Sequence, residues 1–267
     1  MKAILGAAAL VLAGAIPALA HEFWIEPENY EVAADAPLTA ALRVGENMKG
    51  SAYAYVPPNF RRFDLVMGDM VVPVEGRAGD RPALNMAAPA EGLAVVVHQT
   101  RDYLLTYRDW AKFENFTTHK DFAWAMARHD ERGLPRTDFR EQYSRYGKAL
   151  IAVGTGAGAD REVGLLTEIV AEANPYTDDL SGGFPVQVLY EGAPRADTQI
   201  ELFEKAPDGT VEATLHRTDA EGRAVLPVKP GHEYLVDSVV MREMEPASDT
   251  DPVWESLWAS LTFKVPE

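Results

Sequence analysis

Six histidines and no cysteine occur among the 267 residues, so any transition-metal chemistry must use imidazole, carboxylate, amine or backbone donors. One of the six, His21, directly follows Ala18-Leu19-Ala20 and opens the run His21-Glu22-Phe23-Trp24-Ile25-Glu26-Pro27. Cleavage after Ala20 would give His21 a free α-amino group beside its imidazole. The amine titrates near about 7.7–8.0 and the imidazole near about 6.5, so both can yield protons to a metal around neutral pH. Together they close a chelate ring suited to Cu, Ni, Co or Zn, whereas Mg and Ca prefer oxygen.

A further histidine would complete a three-nitrogen clasp, a histidine brace. His98 closes the apolar run Gly92-Leu-Ala-Val-Val-Val-His98, and its ring nitrogens must be satisfied somewhere. His119 stands in Thr118-His-Lys-Asp121, where Lys120 reads as a solvated helix charge and Asp121 could orient the imidazole. His129, in Arg-His-Asp-Glu-Arg, reads as part of a surface charge cluster; His216 and His232 read as surface residues. Strand alternation puts Glu22, Trp24 and Glu26 on one face and His21, Phe23 and Ile25 on the other, so Glu22 is a poor co-ligand for His21 despite its adjacency. The metal set expected is therefore His21, His98 and His119.

The elements that must hold these residues are mostly strands. Residues 1–20 carry Lys2, an uncharged Ala/Leu/Val/Gly run and the Ala18-x-Ala20 site, the pattern of a cleavable signal peptide and too short an apolar run to span a bilayer. Periplasmic export follows, and no later stretch approaches the roughly 20 apolar residues of a spanning helix. An exported chain without cysteines has no disulfides, so its core must suffice. The formal charge of −16 makes nucleic acid and anionic membranes poor partners.

Residues 30–105 read as β, with Gly68-Asp69 as a hairpin turn. Trp110, Phe113 and Phe116 fall at helical spacing, and Asp138 with Glu141 resembles a capping pair before Phe139, Tyr143, Tyr146 and Leu150. A helical insertion over about 109–150 is expected. Gly154-Thr-Gly-Ala-Gly-Ala-Asp160 lacks the Lys-Ser/Thr of a phosphate loop and reads as a plain loop. From Phe184 short strands alternate with turn signals such as Pro207-Asp-Gly209 and Lys229-Pro-Gly231, an antiparallel sandwich pattern. The Pro-, Asp- and Gly-rich 174–183 suggests a boundary. The expected fold is mainly β: two antiparallel β-sandwich domains, Ig-like or prealbumin-like, at 21–175 (with the insertion) and 184–267.

Neither a Gly-x-Ser-x-Gly elbow nor a His-Glu-x-x-His helix occurs. Several stretches instead resemble one family: His21-Glu-Phe-Trp-Ile-Glu-Pro27, His98-Gln-Thr100, Tyr107-Arg-Asp-Trp-Ala-Lys-Phe113, His119-Lys-Asp121, Tyr143-x-Arg-Tyr-x-Lys148, Glu168-Ile-Val-x-Glu-Ala-Asn-Pro-Tyr176 and Trp254-Glu-Ser-Leu-Trp-Ala-Ser-Leu-Thr-Phe263. They resemble a family of bacterial exported proteins of unknown function, often labelled periplasmic components of cobalt or nickel uptake. Residues 186–240 also resemble prealbumin-like, carboxypeptidase regulatory-like repeats, which implies a fold and no activity. The expectation is a periplasmic, non-enzymatic protein that binds Ni, Co or Cu through His21 and supplies or buffers it for a membrane metal transporter. The alternatives are a metal-free periplasmic interaction module and, last, a copper-dependent oxidative enzyme.

Overall fold

A computed structural model describes residues 21–267; the signal-peptide reading of residues 1–20 lies outside them. The chain is mainly β and built as a layered sandwich around a ten-stranded sheet. Its order is Val211–Arg217, Gln199–Lys205, Glu233–Glu243, Pro252–Lys264, Phe139–Val153, Gly92–Thr100, Phe60–Met67 and Met70–Pro73, with Glu31–Val32 and Tyr103–Tyr107 also pairing Phe139–Val153. The central pair, Phe139–Val153 with Pro252–Lys264, is parallel, a departure from the antiparallel expectation. The hydrogen-bonded sheet thus draws strands from both sides of 174–183.

Alternation along the central strands sends successive side chains into different cores. Leu93, Val95 and Val97 join Leu257, Ala259 and Leu261 on one face, covered by the sheet that contains Thr167–Ala171 and Phe184–Tyr190. Ala94, Val96, Ala149 and Ile151 face the other way, toward the sheet that contains Glu22–Pro27 and Pro37–Glu46. Beside that second sheet, Trp254 and Trp258 meet two helices, α1 (Trp110–His119) and α2 (Trp124–Glu131). The helix α1 starts where Asp109 accepts from the Ala111 N–H, and it buries Phe113, Phe116 and Thr117. It ends at Lys120, whose N–H bonds the Phe116 carbonyl, before Asp121 turns left-handed at φ 66°.

The helical insertion is shorter than expected. Residues 139–150 lie within the strand Phe139–Val153, which has hydrogen-bonded partners along both edges. The helix-like spacing of Phe139, Tyr143, Tyr146 and Leu150 misleads because both faces of this strand are covered, which erases the two-residue alternation. Asp138 is no N-cap; it sits at φ 59° and donates its N–H to the Tyr107 carbonyl. The Gly68-Asp69 hairpin forms as expected, joining Met67 to its partner Met70. Among the described residues no helix is long and apolar enough to cross a membrane.

Candidate functional site

The strand Glu22–Pro27 lies over the central strand pair. It can approach closely because Gly147 has no side chain: a Cβ there would come within 2.7 Å of the Phe23 ring. Phe23 and Ile25 enter the core, whereas Trp24 turns the other way against Phe203, Leu235 and Met48. The turn Asn47-Met48 folds back beside it, with both residues left-handed (φ 51° and 54°). That conformation suits Asn and a two-residue hairpin, but it is costly for Met48, whose burial against Trp24 offsets the strain.

A cavity of about 450 Å³ opens between this turn, the end of α1 and the edge hairpin Gln199–Lys205/Val211–Arg217, walled by Glu46, Phe116, His119, Glu201, Phe203 and Leu215. Beneath it is a buried charge cluster. Glu201 and Asp237 face each other across adjacent strands, an unfavourable pairing of like charges unless a cation intervenes. Lys120 supplies one: its Nζ lies 2.5 Å from Glu201 Oε2, 2.9 Å from Asp237 Oδ2 and 3.6 Å from Glu22 Oε1. The Trp258 ring, 4.9 Å from Nζ, adds a cation–π contact.

Burial opposes the Lys120 charge, yet Asp237, Glu201 and Glu22 outweigh it and hold the pKa above the ordinary lysine value. Burial pushes Glu22 up to about 7 even though Lys120 pulls it down. Asp237 is likewise raised by burial; Glu201, buried as well, is held below its ordinary value by His119 and Lys120. The cluster thus carries three carboxyl groups for one ammonium.

Two histidines border this acidic ground. His119 Nε2 lies 2.8 Å from Glu201 Oε1, a contact that raises the imidazole pKa. The two groups form an ion pair when the imidazole is protonated, which is why the pairing favours the protonated ring. His21 Nδ1 lies 3.2 Å from Glu46 Oε1, and these two buried atoms also lack a hydrogen-bond partner. Glu22 points to Lys120 and not to Glu46, as strand alternation requires. No group of three or more His, Asp or Glu side chains is gathered in metal-holding geometry among the described residues.

The structure puts His119 on the wall of this cleft, His21 beside it through its contact with Glu46, and His98 elsewhere. His98 is 2% exposed, packed among Phe23, Phe60 and Phe63, with ring centroids 5.0–5.4 Å away. Burial lowers its pKa to about 3, and neither ring nitrogen has a partner. His129 departs from its surface reading. It is fully buried, accepting from Trp254 Nε1 at 3.0 Å and lying 3.0 Å from the Pro135 carbonyl, so it ties α2 to the sheet.

Lys120 is not a solvated charge either, being 5% exposed. Glu201, Asp237 and Glu46 escaped the sequence reading. The first two had a readable signal: a lone carboxylate inside the apolar runs Ile200-Glu-Leu202 and Val236-Asp-Ser-Val239, where an inward-facing acid must find a partner.

Residues 18–242 match the family described as Domain of unknown function (DUF4198). The chain belongs to that family. No curated protein matches it. Among solved structures, the D0-D1 domain of Intimin is similar at 14% identity over 90% of this chain and 97% of that one, with a TM-score of 0.22. A tetra-tandem repeat in the extending region of a large adhesion protein is similar at 11% identity over 94% and 51%, with a TM-score of 0.20. Overlap this low carries no inference about arrangement or activity.

Proposed function

We propose that this DUF4198 protein is an exported, periplasmic binding protein for a transition-metal cation, held at the cleft beside His21. The observation that carries this is the pair His21 Nδ1 and Glu46 Oε1, two buried atoms 3.2 Å apart with no hydrogen-bond partner, at the residue where signal cleavage would leave a free amine. Amine and imidazole nitrogens with one carboxylate oxygen form a donor set that fits Ni, Co or Cu. The amine, a backbone group, would supply the third donor that side chains alone do not gather. The half-exposed His119–Glu201 pair on the same cavity is the next source of ligands, and the surplus carboxylates below favour a cation. His98 has no part in this site. The role is binding and not catalysis, with delivery of nickel, cobalt or copper to a membrane transporter.

Mass spectrometry of the exported protein should find His21 first. Calorimetry should show Ni²⁺ or Cu²⁺ binding that disappears when one alanine precedes His21 and weakens in Glu46→Gln. Binding that survives the extension would overturn the site.

A further inference from the structure

Consecutive residues of the amino-terminal strand serve different cavities: Glu22 lines the cleft, and Phe23 lines a second one of about 220 Å³. Across this second cavity Tyr103 and Tyr143 are paired on neighbouring strands and stacked, centroids 5.4 Å apart. An arginine stands two residues from each tyrosine, Arg145 on the same strand as Tyr143 and Arg101 just before the strand of Tyr103. Arg145 lies 4.9 Å from the Tyr143 ring centre and Arg101 lies 5.3 Å from that of Tyr103, and both line the cavity.

Neither guanidinium forms an ion pair with an acidic side chain among the described residues, and residues 1–20 contain no Asp or Glu. Arg145 Nε is buried without an acceptor. Its side-chain hydrogen bond runs to the His21 carbonyl at 3.5 Å, longer than the usual range of about 2.7–3.2 Å. In a chain with 41 acidic and 25 basic residues, the half-buried Arg145 guanidinium without a carboxylate calls for an anion from outside, and the exposed Arg101 adds positive charge at the same cavity. His98 lines the same cavity with both ring nitrogens unpartnered. Its lowered pKa keeps the ring neutral at neutral pH, with one N–H to donate. Phe23, Phe60 and the stacked tyrosines give the cavity flat apolar faces, among walls that also include Asn59 and Thr100.

We propose that this cavity binds a small aromatic carboxylate, with the carboxylate held by the Arg145 fork and the His98 N–H, and the ring packed among Phe23, Phe60 and Tyr103. Planar guanidinium forks match carboxylates bidentately and stack on aromatic rings. The volume is below the roughly 300–1,000 Å³ of drug-sized sites, which limits the occupant to a single ring.

Benzoate titrated into the exported protein in EDTA is the test, followed by calorimetry and thermal midpoint, with benzamide and acetate as comparison ligands. Because no metal is present, failure here leaves the metal reading untouched, and the reverse holds too. Benzoate should bind saturably and raise the midpoint, with benzamide and acetate each weaker by about tenfold or more. Arg145→Gln and His98→Phe should each lower benzoate affinity by about tenfold or more. Arg101→Gln, at an exposed position that leaves the core intact, should lower it by about threefold. No saturable benzoate binding up to about 10 mM overturns the proposal. Equal binding of benzamide or acetate, or unchanged affinity in Arg145→Gln and Arg101→Gln, overturns it as well.

Discussion

Two lysines are buried among the described residues, and their surroundings differ in one respect. Lys148 lies 2.8 Å from Asp160 and 3.0 Å from Glu168, and backbone N–H groups complete both carboxylates: Arg161 and Ala171 donate to Asp160, Val163 and Leu165 to Glu168. Nothing is left over. Lys120 faces three acids; Asp237 Oδ1 remains without a hydrogen bond, and Glu201 Oε1 meets only the exposed His119 at the open cavity. Buried charge that is fully paired serves the fold; buried charge that is left unsatisfied next to space is available to a ligand.

The largest effect should come from Lys148→Met. Removing one partner of a saturated buried cluster strands two carboxylates and should cost about 3–5 kcal/mol in urea unfolding near neutral pH. Lys120→Met should cost less at pH 5 than at pH 8, because Glu22 and Asp237, already raised by burial, can take up protons. An equal loss of stability in the two variants at pH 8 would erase the contrast.

Glu22 sharpens it next. A carboxyl held at about 7 in the fold and 4.5 when free binds its proton more tightly when folded. Its contribution is complete below pH 4.5 and is lost as pH rises to about 7, up to about 3 kcal/mol. Glu22→Gln should therefore flatten the fall in stability between pH 5 and 8, read from urea midpoints. A slope unchanged by the substitution would mean that Glu22 is not the titrating group.

The smallest effect on the fold belongs to His119→Ala. With its side chain 61% exposed, the pair with Glu201 should be worth less than about 1 kcal/mol of stability. The same variant should weaken Ni²⁺ or Cu²⁺ binding in calorimetry. A large stability loss with unaltered metal affinity would move His119 to the structural side of the comparison.

The β character was legible because strand-forming runs separated by turn residues dominate the chain, and Glu22 was set apart from His21 by alternation alone. Residues 139–150 were not legible as a strand, since covering both faces of Phe139–Val153 removes the pattern that marks one. His119 lines the cleft and His21 reaches its edge only through Glu46, whereas His98 went to an aromatic enclosure because its strand is central to the sheet. Lys120 could not be recognised locally. Its partners Glu201 and Asp237 are 81 and 117 residues away, and only the folded sheet makes them neighbours.

The parallel pairing at the centre of the sheet also sets a timetable. Arg140 meets Pro252 and Ala149 meets Thr262, so the middle strand waits for a partner made more than a hundred residues later. Closing so long a loop is entropically slow, and a chain emerging amino end first cannot zip its sheet together until the last strand arrives. Until then the strands that will flank the cleft have no common floor. Removing Pro252–Lys264 would therefore split the sheet down its middle and not merely trim an end.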